Sequence, residues 1–229
     1  MAVERKTLTQ LSVPICLETL FYMLSGMVDT LMLSSVGDQA VGAVGTANTY
    51  IGVFIIMFGV ISSGMIAVMS QNIGAGRPGI AYQARQLGLL FNALTGILMS
   101  VILAFFSGRI LKIVSIAPAL LEPAETYLKI VGGACFLNAL IPIFSSYLRV
   151  FGYTKHSLIG TIVGNAVNII FNSVFLFVFK WGVMGVAVAT VISKVVNLII
   201  VAAMGAVLIK AKQSPERIQP RKILAQIVK

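Results

Sequence analysis

The stretch Val13–Ser35, VPICLETLFYMLSGMVDTLMLSS, carries two carboxylates, Glu18 and Asp29, in an otherwise apolar segment. A helix needs about 20 predominantly apolar residues to cross a bilayer, and this stretch is long enough. On a helical wheel Glu18, Tyr22, Ser25 and Asp29 fall within about 60° of one another. One side of the predicted transmembrane helix is therefore a polar stripe that ends in an acid.

Carboxylates are costly inside a membrane. Near the bilayer centre an Asp costs about 2.5–3.5 kcal/mol, whereas each Leu, Ile, Phe or Val returns only about 0.3–0.6 kcal/mol. The acids must therefore face other helices or water, lie near the membrane edge, or be protonated. Asp29 lies farther along the helix than Glu18 and is the predicted functional acid. The alternative is an acid that reaches the interface at the outer end of the helix.

The composition of the whole chain is that of a membrane protein. Of its 229 residues, 58% are hydrophobic and only 10% are charged, which excludes a soluble globular domain. The net charge of +10 does not predict nucleic-acid binding, because most basic residues lie in short loops and at the two ends. Cys16 and Cys135 lie in apolar segments, which favours packing over a disulfide or a metal site.

Six apolar segments predict an all-α, polytopic membrane protein with six transmembrane helices. They cover about residues 13–35, 45–73, 86–106, 125–148, 157–179 and 183–209. Gly52, Gly59 and Gly64 are expected to break the second helix, and residues 107–124 are expected to form the longest connection. The lysines and arginines concentrate on the side that holds both ends of the chain, so the positive-inside rule predicts cytoplasmic termini. A plasma membrane, in bacteria the inner membrane, is the expected location.

The predicted organisation has three parts. Residues 1–12 form a basic amphipathic lead-in, 13–209 the six-helix lobe, and 210–229 a basic tail or the start of a second lobe. The first apolar run is long and contains acids, which favours a retained helix over a cleaved signal peptide.

The fifth and sixth predicted helices repeat the pattern of the first. Each has a polar stripe: Thr161, Asn165, Asn168 and Asn172 on the fifth, and Thr190, Lys194 and Asn197 on the sixth. Asparagine carbonyls can coordinate a hard cation, and their NH2 groups can hydrogen-bond a carboxylate. Lys194 can supply a counter-charge to Asp29 or Glu18. Such stripes also hold transmembrane helices together without binding anything, and Gly160-x-x-x-Gly164 favours close packing.

Three helices, each with one polar stripe, favour a polar cavity that they share. Its predicted lining comprises Asp29, the amide side chains of Asn168 and Asn172, and also Glu18, Tyr22, Asn165 and Lys194. A buried carboxylate can hold a proton or a metal cation, but not both at once. This exclusion at Asp29 is the minimum that an antiporter requires. We therefore expect Asp29→Asn to abolish coupled transport while the protein still folds.

The order of several motifs resembles the multidrug and toxic compound extrusion (MATE) family of secondary transporters. The matching segments are VPICLETLFYMLSGMVDTLMLSSVGDQAVGAVG, MSQNIGAG, RVFGYTKHS, VNIIFN and GVMGVAVATVIS. The resemblance implies an H+- or Na+-coupled exporter of organic cations, with a cation site at Asp29, Asn168, Asn172 and Thr190. If the ion is Na+, Asp29, Asn168 and Asn172 would ligate it. Some members have an aspartate where this chain has Asn172, so both ions remain open.

The family has twelve helices in two lobes, whereas this chain has segments for one. Residues 5–11 recur as 221–227 with four identities in seven positions, like the opening of a second parallel repeat. The expected partners are the lipid bilayer, small organic cations, and a second six-helix lobe or a second copy of this chain, but no nucleic acid. No cofactor besides the coupling ion is expected.

Two other functions remain open. A lipid-linked oligosaccharide flippase would need several cavity-facing Arg or Lys for an anionic pyrophosphate, and only Lys194 lies clearly inside a predicted helix. A transport-inactive fragment would merely pack against a partner. An enzyme is not expected, because the single histidine, His156, lies in a predicted loop and no HExxH motif or Ser/His/Asp set is evident.

Overall fold

The computed structural model describes residues 8–209, which form seven α-helices and, within that range, no β-strand. The helices are α1 (Leu8–Ser34), α2 (Asp38–Gly74), α3 (Pro78–Ile113), α4 (Pro118–Tyr127), α5 (Cys135–Val150), α6 (Thr154–Ser173) and α7 (Gly182–Leu208). Two π-helical turns, Leu128–Gly132 and Val174–Val178, follow α4 and α6. Residues 1–7 of the predicted lead-in and the predicted tail 210–229, which contains the second copy of the sequence repeat, lie outside the described residues.

Five of these helices, α1, α2, α3, α6 and α7, are long and apolar enough to cross a membrane. The segment of α4 with its π-helical turn and α5 pass the same test together as a sixth span, bent by 43° at the break between them. The prediction of an all-α, six-span lobe is confirmed. Helices suit this setting because hydrocarbon offers no partner for unpaired backbone groups.

Two predictions about local structure are wrong. First, α2 runs without interruption through Gly52, Gly59 and Gly64. Within a membrane the backbone has no water to bond instead, so glycine does not end the helix. Second, α3 and α4 extend into the segment 107–124, which leaves only residues 114–117 as the connection.

Helix α6 packs against α1 on one side and against α7 on another. A Cβ atom on Gly160 would lie 2.7 Å from Cγ1 of Val201 and 2.8 Å from Oδ1 of Asn197, and one on Gly164 would lie 3.2 Å from Cβ of Asn197. The two glycines therefore bring α6 and α7 into close contact, as their spacing predicts. This contact carries the amides of α6 toward Thr190 and Lys194 on α7.

Helices α1 and α6 run parallel to each other. Three hydrogen bonds join them and advance in the same direction along both, from Glu18 with Ser157, through the Phe21 carbonyl with Asn165, to Asp29 with Asn172. The polar stripes of these two helices therefore face each other along most of the bundle.

Candidate cation site

The centre of the candidate site is the carboxylate of Asp29 on α1, which is only 9% exposed. The Nδ2 group of Asn172, on α6, donates a hydrogen bond to Oδ1 of Asp29 at 2.5 Å. The same Nδ2 group donates to Oδ1 of Asn168 at 3.1 Å, one turn earlier on α6. Asn168 also lies beside the Asp29 carboxylate. Both asparagines are buried, so their amides are held in place by packing.

Thr190 contributes a buried hydroxyl from α7. Its Oγ1 donates to the carbonyl oxygen of Val186 at 2.8 Å, so its lone pairs face the other polar groups of the site as acceptors, the Tyr127 hydroxyl among them. The structure thus brings the four sequence-predicted residues, Asp29, Asn168, Asn172 and Thr190, to the same region of the bundle.

Tyr127 is a member of this region that the sequence analysis did not include. The fully buried ring lies at the end of α4, and its hydroxyl is beside Asn48 of α2 and Thr190 of α7, within the electrostatic range of Asp29. The π-helical turn that begins at Leu128 follows it directly, and such turns are frequent at functional sites. One signal was available in the sequence: a tyrosine inside a predicted transmembrane helix needs a partner for its hydroxyl.

Lys194 lies one turn beyond Thr190 on α7 and is within electrostatic range of Asp29. In the described part of the chain, no ion pair within contact distance joins the two side chains. Lys194, the predicted counter-charge, is therefore near Asp29, but the direct hydrogen bond to the carboxylate comes from Asn172.

One buried atom at the site has no hydrogen-bond partner within residues 8–209: Oδ1 of Asn172. A buried acceptor without a donor is costly, and a cation or a water molecule would satisfy it. No group of three or more His, Cys, Asp or Glu suited to a metal occurs among the same residues. A cation here would therefore be held by one carboxylate with amide and hydroxyl oxygens, which are the ligands of hard cations.

The structure places Glu18 away from this group. It lies eleven residues before Asp29, about 16 Å along the helix, where Oε1 contacts Nη2 of Arg149 at 2.8 Å and accepts a hydrogen bond from Oγ of Ser157 at 2.9 Å. Glu18 therefore does not belong to the group of side chains around Asp29. Arg149 stands between the predicted helices 125–148 and 157–179, and no local pattern in the sequence indicates its pairing with Glu18.

The other two residues expected to line the cavity have different positions. Tyr22 is 57% exposed and lies at the surface of the lobe, although its hydroxyl is within range of Tyr127. Asn165 is half-buried, and its Nδ2 group donates to the carbonyl oxygen of Phe21 at 2.6 Å. Asn165 thus joins two helices and does not contact Asp29.

The chain was compared with known proteins. The family model MatE matches residues 14–174. The chain is 36% identical over 197 residues to the uncharacterized transporter YisQ of Bacillus subtilis, covering 84% of this chain and 43% of the relative. It is 26% identical, also over 197 residues, to the probable multidrug resistance protein NorM of Thermotoga maritima, covering 84% and 42%.

Among solved structures, the fold matches a multidrug resistance MATE family transporter of the MOP superfamily in an outward-facing conformation. The TM-score is 0.84 at 20% sequence identity, over 96% of this chain and 49% of that chain. The chain therefore spans about half the length of the relatives that it matches. The model match, the relatives and the fold agree, and the chain belongs to the MatE family, whose members are membrane transporters and not enzymes.

Proposed function

We propose that this chain is the N-terminal lobe of a cation-coupled antiporter that exports organic cations, with Asp29 as the coupling residue. The observation that carries the proposal is the environment of Asp29: a buried carboxylate held by an amide, beside an unpartnered amide oxygen on Asn172. Intramembrane carboxylates of this kind mark ion and proton pathways.

The chemistry follows from the single carboxylate. A proton on Asp29 removes the charge that attracts a cation, and a bound cation displaces the proton. The proton and the cation therefore bind Asp29 alternately. If the lobe changes conformation according to which of them is bound, it can exchange the proton for the cation across the membrane. Two relatives are named as multidrug resistance proteins, which supports drugs as the exported substrates. Organic cations are the class that the family resemblance implies.

The neighbours of Asp29 favour a proton over Na+ as the coupling ion. Na+ needs several oxygen ligands, so the Asn172 amide would have to rotate to turn its oxygen toward the ion. The positive charge of Lys194 nearby opposes either cation at this carboxylate and does not distinguish them. A proton does not require the rotation of the amide, because it binds one carboxylate oxygen directly.

A second lobe completes this proposal. Transport needs a cleft that opens alternately to the two sides of the membrane, and secondary transporters form it between two repeats. Helix α1 has a largely exposed apolar surface, which includes Leu20, Met23, Met27 and Leu31. The lobe that covers the cleft is either a second repeat in the same protein or a second copy of this chain. If crosslinking of the 229-residue chain in membranes gives monomers alone, the second copy is excluded.

A flippase for lipid-linked oligosaccharides has less support. Within the described residues, Lys194 is the single basic side chain near Asp29, and Arg149 is engaged with Glu18 at the other end of the helix. A pyrophosphate would need several free positive charges.

The deciding experiment measures dye efflux by the complete protein in proteoliposomes under imposed pH or Na+ gradients. We expect gradient-dependent efflux for the natural sequence and efflux at the background rate for Asp29→Asn. Asp38→Asn is the matched control, because it makes the same chemical change at an exposed position at the start of α2. Full efflux by Asp29→Asn would exclude Asp29 as the coupling residue.

The proposed location is a plasma membrane with both ends of this chain on the cytoplasmic side. Reporter fusions that are active only in the cytoplasm test this orientation when joined after Lys229 and within the turn between α3 and α4. The first fusion should be active and the second inactive.

A further inference from the structure

A row of polar side chains on α6 lies between the levels of Glu18 and Asp29, along the contact of α6 with α1. We call this row the α1–α6 seam, and its α6 members are Ser157, Thr161, Asn165, Asn168 and Asn172. They recur every three or four residues, so each lies about one turn from the next. All except Asn165 are buried. The seam therefore spans the distance of about 16 Å between the two carboxylates, with buried polar side chains at four of its five α6 positions.

The end of the seam at Glu18 is closed by an ion pair. Nη2 of Arg149 lies 2.8 Å from Oε1 of Glu18, and Ser157 donates to the same oxygen at 2.9 Å. These contacts join α1 to α5 and α6 one helical turn before Thr161. The Arg149 side chain is 28% exposed, so water reaches the outer side of the pair.

The closed arrangement leaves two polar atoms of the ion pair unsatisfied. Oε2 of Glu18 and Nε of Arg149 are buried and have no hydrogen-bond partner within residues 8–209. Each of these atoms costs about 1–3 kcal/mol, and entering water would satisfy both. Closure here is therefore opposed by desolvation, as expected of a contact that opens.

We propose that the α1–α6 seam is the path by which the coupling cation, or the water that carries a proton, passes between Asp29 and the membrane side at Glu18, and that the Glu18–Arg149 ion pair is its gate. Opening the gate separates one ion pair and one hydrogen bond, and water replaces both. The next constriction is the bond from Asn165 to the Phe21 carbonyl. The nature of the ion rests on the proposed function, whereas the path and its gate do not.

The competing explanation is that the seam only binds two helices together. Polar residues between transmembrane helices often have this role. In that case water never enters the seam, whatever happens to the ion pair. The two explanations therefore differ in whether a side chain inside the gate becomes accessible when the pair is removed.

The test is thiol labelling at Thr161, one turn inside the gate. Thr161→Cys is introduced into the complete protein in which Cys16, Cys135 and any further cysteine are serine. A membrane-impermeant, charged methanethiosulfonate is applied to each side of membrane vesicles, and the rate of modification is measured. We expect slow labelling with the gate intact and at least tenfold faster labelling with Glu18→Gln, from the side on which Arg149 lies.

Two matched controls separate the gate from general loosening of the protein. Glu125→Gln breaks the Glu125–Lys129 ion pair, which lies within a single segment of the chain, and it should leave the labelling rate unchanged. The exchanged pair, Glu18→Arg with Arg149→Glu, restores the attraction and should restore slow labelling. If Glu18→Gln does not fold, Arg149→Gln removes the same ion pair from the other partner.

Either of two results overturns the proposal. One is equal labelling of Thr161→Cys in Glu18→Gln and Glu125→Gln, and the other is rapid labelling while the gate is intact. Neither result depends on transport. A failure of the proposed function would appear instead as full efflux by Asp29→Asn.

Discussion

Glu18 and Asp29 lie on the same face of α1 and are both buried, yet they have different partners. The Glu18 carboxylate contacts the guanidinium of Arg149, and the same carboxylate oxygen accepts a hydrogen bond from the hydroxyl of Ser157. Asp29 has an amide in contact, from Asn172, while Lys194 remains outside contact distance. A carboxylate with a resident cation gains little from a second cation, whereas a carboxylate held by an amide retains its charge. We infer that Asp29 is available for ion exchange and Glu18 is not.

The largest expected effect comes from giving Asp29 a resident cation. Asn172→Lys places an ammonium group beside the Asp29 carboxylate and makes it resemble Glu18. We expect gradient-dependent dye efflux to fall to the background rate, because the ammonium group forms an ion pair with the Asp29 carboxylate that the coupling ion would otherwise bind. Protein yield and the midpoint of thermal unfolding serve as checks on folding. Efflux near the natural rate in a folded variant would contradict the distinction between the two acids.

Removing the carboxylate charge of Glu18 should destabilise the protein more than removing that of Asp29. Glu18→Gln leaves Arg149 partly buried without its partner, and we expect a loss of about 1–3 kcal/mol in the free energy of unfolding. Asp29→Asn keeps a hydrogen-bonding side chain and should cost less than about 1 kcal/mol. Unfolding of both variants in detergent gives the comparison. Equal losses would mean that the two carboxylates are held in the same way.

A second carboxylate beside Asp29 should increase the difference in cation binding between Asp29 and Glu18. Asn172→Asp adds a negative charge against Asp29 and should strengthen the binding of the coupling cation, H+ or Na+, by about tenfold, which corresponds to about 1.4 kcal/mol. The assay is dye efflux measured against H+ concentration without Na+ and against Na+ concentration at constant pH. Asn197→Asp is the matched control, because Asn197 lies between α6 and α7 against Gly160. The same gain in both variants would indicate a general effect of charge.

The smallest expected effect is that of Lys194. Lys194→Met removes a positive charge near Asp29 and should increase the apparent affinity for the coupling cation about three- to tenfold, at an effective dielectric constant near 20. Lys194→Arg keeps the charge and should behave like the natural protein. Lys129→Met, at a more exposed lysine, is the surface control. Unchanged affinity in Lys194→Met would mean that Lys194 does not influence the site.

Much of the arrangement around Asp29 follows from helical periodicity. The stripes on the first, fifth and sixth predicted helices contain Asp29, Asn172 and Thr190, and the structure brings these residues to one region of the bundle. Periodicity succeeds here because polar side chains in a membrane must turn toward each other and away from lipid. Their role in ion coupling remains a prediction.

Periodicity fails where contacts depend on how helices are placed along the membrane normal. Glu18 shares a helical face with Asp29, but its partner Ser157 is 139 residues away in the sequence and lies at the other end of the bundle from Asn172. A helical wheel shows the direction in which a side chain points around the helix axis, but it does not show the depth of that side chain in the membrane. The same limit explains why Glu18 was expected beside Asp29.

The six membrane spans and the acid in the first of them were determined by the amino-acid sequence alone, because hydrocarbon forces each segment to satisfy its own backbone and to turn its polar side chains inward. The tertiary structure alone decided that Arg149 neutralises Glu18, that Tyr127 approaches Thr190, and that Lys194 remains near Asp29 without contact. These pairings depend on helix depth, on the 43° bend before α5 and on the π-helical turns, which no single segment encodes.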